Sequence, residues 1–264
     1  MKLSIRRSAL LAIGSVIAVA ASGIVDRAWA LTQEEIVNQL QSVPVFTITD
    51  STGAPLVSES PEDEDAAPIA RVFIDETDAE RFLGSIQESN PELGADVRIT
   101  PVSLGRVYMA AVESQASEER LEFVFIPSQD EAASAVEILK DELEQQGEDP
   151  SAVQDFLGVP LFTARSANAD NNQGYLTIQA GDEQIVPLFF SYDELQTLIS
   201  TIGEGQPDFA QGLNPFVIRL EELIETFENT EDEDLLQLQL IPSTESIEAA
   251  QEAQSQGAEQ GDSE

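Results

Sequence analysis

The chain has 264 residues, and 50 acidic residues against 12 lysines and arginines give it a formal net charge of −38. This excess of negative charge leaves little to neutralise phosphates, which excludes nucleic-acid binding and argues against adhesion to anionic lipid. The chain has no histidine and no cysteine, which excludes His- and Cys-based nucleophiles, disulfides and the usual zinc, copper and haem sites. We therefore predict no catalytic residue, no metal and no cofactor.

Residues 1–30 have the parts of a secretory signal peptide. A positive segment (2–7) precedes an apolar segment (10–21), and Ala28-Trp29-Ala30 is a small-x-small cleavage site. The alternative is an uncleaved membrane anchor, but Gly14 interrupts an apolar run that is already short of the ~20 residues a spanning helix needs. The sequence predicts an exported protein, with the periplasm as its first location and no stable membrane insertion after cleavage.

Residues 31–148 predict a first folded unit of strands and helices. Its helices begin at a capping box at Thr32–Glu35, at the N-cap Asp75 and at a second capping box at Ser128–Glu131, and the last ends at Gly147. Apolar patterning predicts strands near 43–49, 56–57, 70–74, 97–99 and 121–126, and helices over 79–86, 104–111 and 132–143. The segment 59–68 is acidic and flanked by prolines, as is typical of a loop.

Residues 149–250 predict a second unit. A helix begins at Asp149-Pro150 and another at Ser191, and strands are expected near 159–163, 175–178, 185–190 and 235–241. The polar segment 166–174 spaces oxygen ligands somewhat like a calcium loop, but it lacks the bidentate acid and fits a turn better. Residues 251–264 are rich in Gln, Glu, Ser and Gly, which predicts a disordered acidic tail.

The second unit repeats the first. Val43-Pro44-Val45-Phe46 recurs as Val159-Pro160-Leu161-Phe162, an offset of 116 residues, and the segment at 121–128 recurs at 236–243 with an offset of 115. The helical apolar stripe Ala79, Phe82, Leu83 and Ile86 recurs as Leu195, Leu198, Ile199 and Ile202. The predicted class is α+β, with two pseudo-symmetric tandem repeats, each a small, mostly antiparallel sheet with packed helices.

Aromatic residues on the predicted strands are the candidates for binding another protein. The run Val186-Pro187-Leu188-Phe189-Phe190 is most simply a strand covered on both faces, and the alternative is that one ring lines a client groove. Prolines within strands favour sheet edges, where extended peptides can add, so Pro44, Pro160 and Pro187 predict such edges. The candidate client-binding residues are Phe46, Phe162, Phe189, Phe190 and Tyr192.

The chain resembles the cyanobacterial relatives of the Tic-twenty-two component of the chloroplast inner-envelope protein-import machinery. The resemblance runs from Leu31 to about Ala250. It is carried by packing motifs, which include Val43-Pro44-Val45-Phe46, Val72-Phe73-Ile74, Asp78-Ala79-Glu80-Arg81-Phe82-Leu83, Val159-Pro160-Leu161-Phe162, Gly174-Tyr175-Leu176-Thr177-Ile178 and the stretch from Pro187 to Leu195.

The resemblance implies a non-enzymatic protein with two similar halves and apolar surface pockets. It implies a chaperone-like function in protein transport and outer-membrane protein biogenesis. Expected partners are unfolded precursor or outer-membrane proteins and the outer-membrane barrel-assembly (translocon) protein. The thylakoid lumen or a membrane-associated location is an alternative to the periplasm. Two other hypotheses are an adaptor that docks on a translocon without holding clients, and a hydrolase that uses two carboxylates.

Overall fold

The computed structural model describes residues 4–5, 31–58, 67–117, 120–166 and 174–261. The predicted signal peptide lies outside the described residues except for Ser4 and Ile5. Most of the acidic loop after Ser58 and of the polar turn after Ser166 lies outside them as well. Among the described residues, none of the helices combines the length and apolar character needed to cross a bilayer.

The first repeat alternates strands and helices in the order that the sequence predicts. Its elements are α1 (Gln33–Leu40), β2 (Pro44–Asp50), β3 (Val57–Ser58), β4 (Ile69–Phe73), α2 (Glu76–Ser89), α3 (Pro91–Asp96), β5 (Val97–Ser103), α4 (Leu104–Gln115), β6 (Glu122–Ile126) and α5 (Gln129–Gln146). A short strand, β1 (Ser4–Ile5), precedes them.

The second repeat has matching elements. They are a 3-10 turn (Pro150–Ala152), β7 (Pro160–Ser166), β8 (Leu176–Ala180), β9 (Glu183–Phe189), α6 (Tyr192–Gly205), α7 (Pro207–Ala210), β10 (Leu213–Arg219), α8 (Leu220–Asn229), a 3-10 helix (Glu233–Gln237), β11 (Leu238–Ile241) and α9 (Thr244–Gly261).

Each repeat builds one sheet of the same topology. In the first, β2 pairs antiparallel with β4 and β5, and β6 adds parallel to β4. In the second, β7 pairs antiparallel with β9 and β10, and β11 adds parallel to β9. β3 and β8 pair antiparallel with β4 and β9, and β1 extends the second sheet beyond β8. The predicted α+β class with two tandem repeats is confirmed.

The sequence offset of 116 is also the offset of the strand register. Phe46 lies opposite Phe73 in the first sheet, and Phe162 lies opposite Phe189 in the second. The turn into α4 is closed by a bond of 2.8 Å from Leu104 N to Val43 O, and its counterpart joins Leu220 N to Val159 O at 2.9 Å. The duplicated sequence therefore encodes a duplicated hydrogen-bond pattern.

Strand alternation divides the interior into three apolar layers. Val45 and Leu161 point into a central core that both sheets share with α1, α4 and α8. Phe46 points the other way, into an outer core under α2 and α9, and Phe162 points into the equivalent outer core under α6 and α5. Because the central core draws on both repeats, the two units pack as one body.

The last helix of each repeat packs on the sheet of the other repeat. α5 lies on β7 and β10, where Ala135 and Ile138 are buried with Phe162. α9 lies on β2 and β5, where Ala249 packs against the cluster that contains Phe46. This helix exchange means that each sheet depends on the other repeat to complete its outer cover.

The prediction that Pro44, Pro160 and Pro187 mark edge strands is wrong. Their strands β2, β7 and β9 lie inside the sheets. Pro44 and Pro160 are the first residues of their strands, a position that tolerates the missing N–H. Pro187 falls in the gap between the β8 pairing, which reaches Ile185, and the β7 pairing, which includes Phe189.

Two other local expectations differ from the structure. The helix expected at Asp149-Pro150 is a single 3-10 turn, although the Asp149 carboxylate accepts from Ser151 N as an N-cap should. The chain expected to be disordered from residue 251 continues as helix α9 to Gly261. Gln, Glu and Ala are good helix formers, and α9 already has a packed first half from which the helix can propagate.

Candidate functional site

All five predicted client-binding residues pack in or against the apolar cores. Phe190 lies in the central core, and the other four, Phe46, Phe162, Phe189 and Tyr192, belong to the outer cores. Phe46 and Phe162 are 0% exposed, and Phe189 and Phe190 are also buried. Tyr192 is half-buried and packs its ring 5.4 Å from that of Phe162. The four phenylalanines are thus core residues, and for Phe189 and Phe190 this is the first of the two alternatives drawn from the sequence. Client contact by any of the five stays a prediction.

A groove opens where α9 crosses the outer face of the first sheet. This α9 groove has a volume of about 400 Å³. Its apolar lining comes from Pro44, Pro101, Val102, Ile247 and Ala250, and its polar lining from Gln41, Ser42, Ser103, Arg106, Gln251 and Gln254. Pro101 lies opposite Phe46 in the β2–β5 register, so the predicted Phe46 sits in the sheet beside the groove. Among the described residues that line the groove, none is acidic.

The pseudo-equivalent region under α5 is narrower and charged. This α5 groove has a volume of about 150 Å³ and is lined by Ile138, Asp141, Glu142, Gln145, Arg165, Ser166, Tyr192, Asn214 and Pro215. Arg165 pairs with Glu142 at 3.2 Å and lies 3.2 Å from the ring centroid of Phe216. Burial lowers the pKa of Arg165, and Glu142 opposes that shift. Because Glu142 is held by Arg165, the two acids in this groove do not form the free carboxylate pair that a hydrolase would need.

Glu131 is the main polar contact between the repeats at the start of α5. Its Oε2 accepts a hydrogen bond of 2.9 Å from Tyr192 N, and the Ser191 hydroxyl also bonds this carboxylate. The capping box predicted at Ser128–Glu131 does not form, because Ser128 makes no side-chain cap. Ser191, where the sequence predicts a helix start, precedes α6 but makes no side-chain cap either. Glu131 instead caps a helix of the other repeat. Burial raises the pKa of Glu131, and the bonds from Tyr192 and Ser191 oppose the shift.

Other polar contacts fix the helix starts and the central helices. The N-termini of α5 and α9 are each capped by an acid of their own repeat: Gln129 N donates to Asp78, and Thr244 N donates to Glu194 at 2.8 Å. Between the repeats, Tyr108 OH donates to Glu228 Oε1 at 3.0 Å. Burial, helped by this bond, raises the pKa of Tyr108 to about 12, so the phenol stays a donor.

Sequence reasoning missed the α9 groove and the Arg165 contact. The groove could not be foreseen, since it depends on a helix that crosses to the other repeat. Arg165 offered a weak signal, as a rare cation within a buried strand of an acidic chain. Among the described residues, no three acidic side chains converge in a group that could hold a metal ion.

Comparison with known proteins gives consistent matches along the chain. A model of the Tic22-like family matches residues 3–255. The pea (Pisum sativum) protein named "Protein TIC 22, chloroplastic" is 23% identical over 202 residues, which cover 76% of this chain and 69% of the pea protein. The solved structure titled "Anabaena Tic22 (protein transport)" has a TM-score of 0.70 and 27% identity, over 84% of this chain and 97% of that chain. "Tic22 from Plasmodium falciparum" shares the fold, with a TM-score of 0.61 and 23% identity over 83% and 97% of the two chains.

Proposed function

Because the chain belongs to the Tic22-like family, we propose that it is a non-enzymatic, chaperone-like carrier in protein transport. It would hold unfolded precursor or outer-membrane proteins in the periplasm and deliver them to the outer-membrane barrel-assembly protein. The similar Anabaena Tic22 is described as a protein-transport protein, which supports the general class. The finer assignment of clients and compartment is ours.

The observation that carries the proposal is the α9 groove. Five apolar residues, among them Pro44, Pro101 and Ile247, line it together with six polar ones. A groove with such a mixed lining suits an unfolded segment, because apolar side chains find apolar contacts while exposed backbone groups find polar partners.

The charge of the groove contrasts with that of the whole chain. The net charge is −38, yet the described residues that line the α9 groove include one arginine and no acid. A client segment entering the groove therefore meets no carboxylate that would be desolvated without a partner. The surrounding negative charge would repel acidic segments and favour neutral or basic ones.

Suppression of aggregation tests this proposal. We expect the purified protein to keep an unfolded outer-membrane barrel protein in solution at a stoichiometric ratio. Ile247→Asp places a charge in the groove and should abolish the effect. Leu157→Asp is the matched control, because Leu157 is exposed and apolar but lies outside the groove. Equal activity of the two variants, or no suppression by the wild type, would refute the groove as the holding site.

A second candidate function is an adaptor that docks on the membrane translocon without holding clients. A carrier that holds unfolded clients would be expected to expose a large apolar patch, and an adaptor would not. Among the described residues, the large apolar side chains that are exposed number four, Val57, Leu157, Leu236 and Ile247, and a few such residues are normal for a protein surface, which favours the adaptor. Site-specific cross-linking from position 247 separates the two, since the adaptor would yield the barrel-assembly protein and no client at any stage of export.

A further inference from the structure

The α9 groove holds a positive charge that has no ionic partner. Arg106 is exposed and is the one charged residue among the described residues that line the groove. Three other arginines, Arg81, Arg165 and Arg219, pair with carboxylates. Within the described part of the chain, no carboxylate lies at ion-pair distance from the Arg106 guanidinium. In a chain with 50 acidic residues, the groove therefore offers a cation that the chain itself does not neutralise.

The second repeat supplies carboxylates at the corresponding place. At the offset of 116, Arg106 corresponds to Glu222, which forms an ion pair with Arg219. The residue before it, Glu221, accepts a hydrogen bond from Val159 N at 3.1 Å. The first repeat has glycine and arginine at these two positions. The place that the second repeat fills with its own acids is therefore left without a carboxylate in the first.

The rest of the groove lining suits the end of a peptide chain. Besides the arginine, it consists of five apolar residues, three glutamines and two serines. The apolar residues can contact a large side chain, and the amides and hydroxyls can pair with peptide N–H and C=O groups. The groove volume of about 400 Å³ is near the lower end of the ~300–1,000 Å³ that small-ligand sites have. Such a site takes a few residues of a chain rather than a folded element.

We infer that the α9 groove binds the carboxyl terminus of a partner chain, with the terminal carboxylate on Arg106 and a large apolar last side chain against the apolar lining. Arginine binds carboxylates through charge-assisted hydrogen bonds, often two in parallel. A chain end brings one negative charge, which Arg106 meets directly, whereas acidic side chains elsewhere in a segment would meet the negative charge of the surrounding surface. This inference rests on the proposed carrier function, because it names the part of a client that the groove holds.

Titration calorimetry with two synthetic peptides is the first test. One is a hexapeptide of glycine, serine and glutamine that ends in phenylalanine with a free carboxylate, and the other is the same peptide with an amidated terminus. The free acid should bind about tenfold more tightly, because the amide cannot form charge-assisted hydrogen bonds as an anion. Equal affinities would overturn the inference.

The last side chain is tested in the same way. A free-acid hexapeptide that ends in glycine should bind about tenfold more weakly than the one that ends in phenylalanine, because it buries no ring against the apolar lining. Decanoate has a carboxylate and an apolar chain but no peptide group, and it should also bind more weakly. Tighter binding of decanoate than of the phenylalanine peptide would overturn the assignment to a chain end.

Two arginine variants give the second test. Arg106→Gln should reduce the affinity for the free acid about tenfold and leave the affinity for the amidated peptide unchanged. Arg98→Gln is the matched control, because Arg98 is an exposed arginine of β5 that does not line the groove. An equal loss in the two variants would reflect the net charge of the chain and overturn the assignment to Arg106. If Arg106→Gln fails to fold, the wild-type comparison of free acid and amide still decides.

The outcomes separate this inference from the proposed function. Suppression of aggregation with equal binding of the free acid and the amide would overturn chain-end recognition and leave the carrier function. Binding of the free acid through Arg106 without suppression of aggregation would refute the carrier function and leave a groove that recognises a chain end, as an adaptor could use.

Discussion

Glu131 of the first repeat accepts a hydrogen bond from the backbone nitrogen of Tyr192 in the second, at 2.9 Å. The carboxylate is thus the N-terminal cap of α6, supplied from α5 across the exchanged-helix contact. A helix N-terminus carries unpaired N–H groups and partial positive charge, so a carboxylate there is stabilising. One side chain therefore fixes both a helix end and the relative placement of the two repeats.

Removing this cap should destabilise the protein. In Glu131→Ala the Tyr192 N–H loses its acceptor, and we expect the free energy of unfolding to fall by ~1–2 kcal/mol relative to Glu131→Gln, which keeps an acceptor oxygen. Urea unfolding of the two variants, followed by far-UV circular dichroism, measures the difference. Equal stability of the Ala and Gln variants would show that the bond contributes nothing to folding.

The pH dependence of stability follows from the buried acids. Burial raises the pKa of Glu131, Glu76 and Asp78, and repulsion from Glu80 adds to the shift of Glu76. A carboxyl group with a raised folded pKa adds stability that is fully present below its unfolded pKa and is lost as the pH rises through the folded value. The urea midpoint should therefore increase as the pH falls from neutral toward the ordinary carboxyl pKa values of 4.5 and 3.8. The slope should be smaller in Glu131→Gln, and an identical slope would contradict the assignment.

Arg165 should stabilise the fold more by its contact with the ring of Phe216 than by its ion pair with Glu142. Arg165→Met keeps the apolar stem but removes the cation over the ring, and we expect a loss of ~1–2 kcal/mol in the free energy of unfolding. Glu142→Gln should cost under ~1 kcal/mol, because an ion pair this exposed is screened by water. Chemical denaturation of both variants at low and high salt tests the ranking, and a larger loss in Glu142→Gln would reverse it.

A pair of equivalent threonines tests how much free energy of unfolding is lost when a hydroxyl group is buried without a hydrogen-bond partner. Thr163 is 0% exposed, and within the described residues its hydroxyl has no hydrogen-bond partner. At the offset of 116, its counterpart Thr47 donates to Arg71 O at 3.3 Å. We expect Thr163→Val to raise the free energy of unfolding by ~1 kcal/mol and Thr47→Val to lower it or leave it unchanged. Thermal unfolding of the two variants measures both, and a destabilised Thr163→Val protein would reveal a hidden partner.

Local sequence patterns predicted helix ends correctly where the interacting residues are close in the chain. The capping box at Thr32–Glu35 forms in both directions, with Thr32 N donating to Glu35 at 2.8 Å and Glu35 N donating to Thr32 at 3.2 Å. Gly147 ends α5 in the left-handed conformation, with φ of 77°. Both depend on residues within a few positions of each other, so the sequence contains all of the information they need.

The same rules failed where a distant segment offered a better partner. Ser128–Glu131 has the pattern of a capping box, yet Glu131 lies next to the start of α6 once the repeats have packed, and it caps that helix. The prolines predicted sheet edges, but Pro44 and Pro160 begin interior strands, and the gap in the hydrogen-bond ladder at Pro187 arises only from the final strand order.

The sequence by itself determined the duplication, the strand register at an offset of 116, the apolar stripes and the absence of histidine and cysteine. These are properties of spacing and residue type, which no packing can change. Only the tertiary structure decided that α5 and α9 exchange sheets, that Phe46 and Phe162 lie under them, and that the groove beside α9 is larger than the one beside α5. Both helices carry apolar stripes, and which sheet each one covers depends on contacts that local patterns do not show, such as the bond between Ser246 and Ile74, which are 172 positions apart.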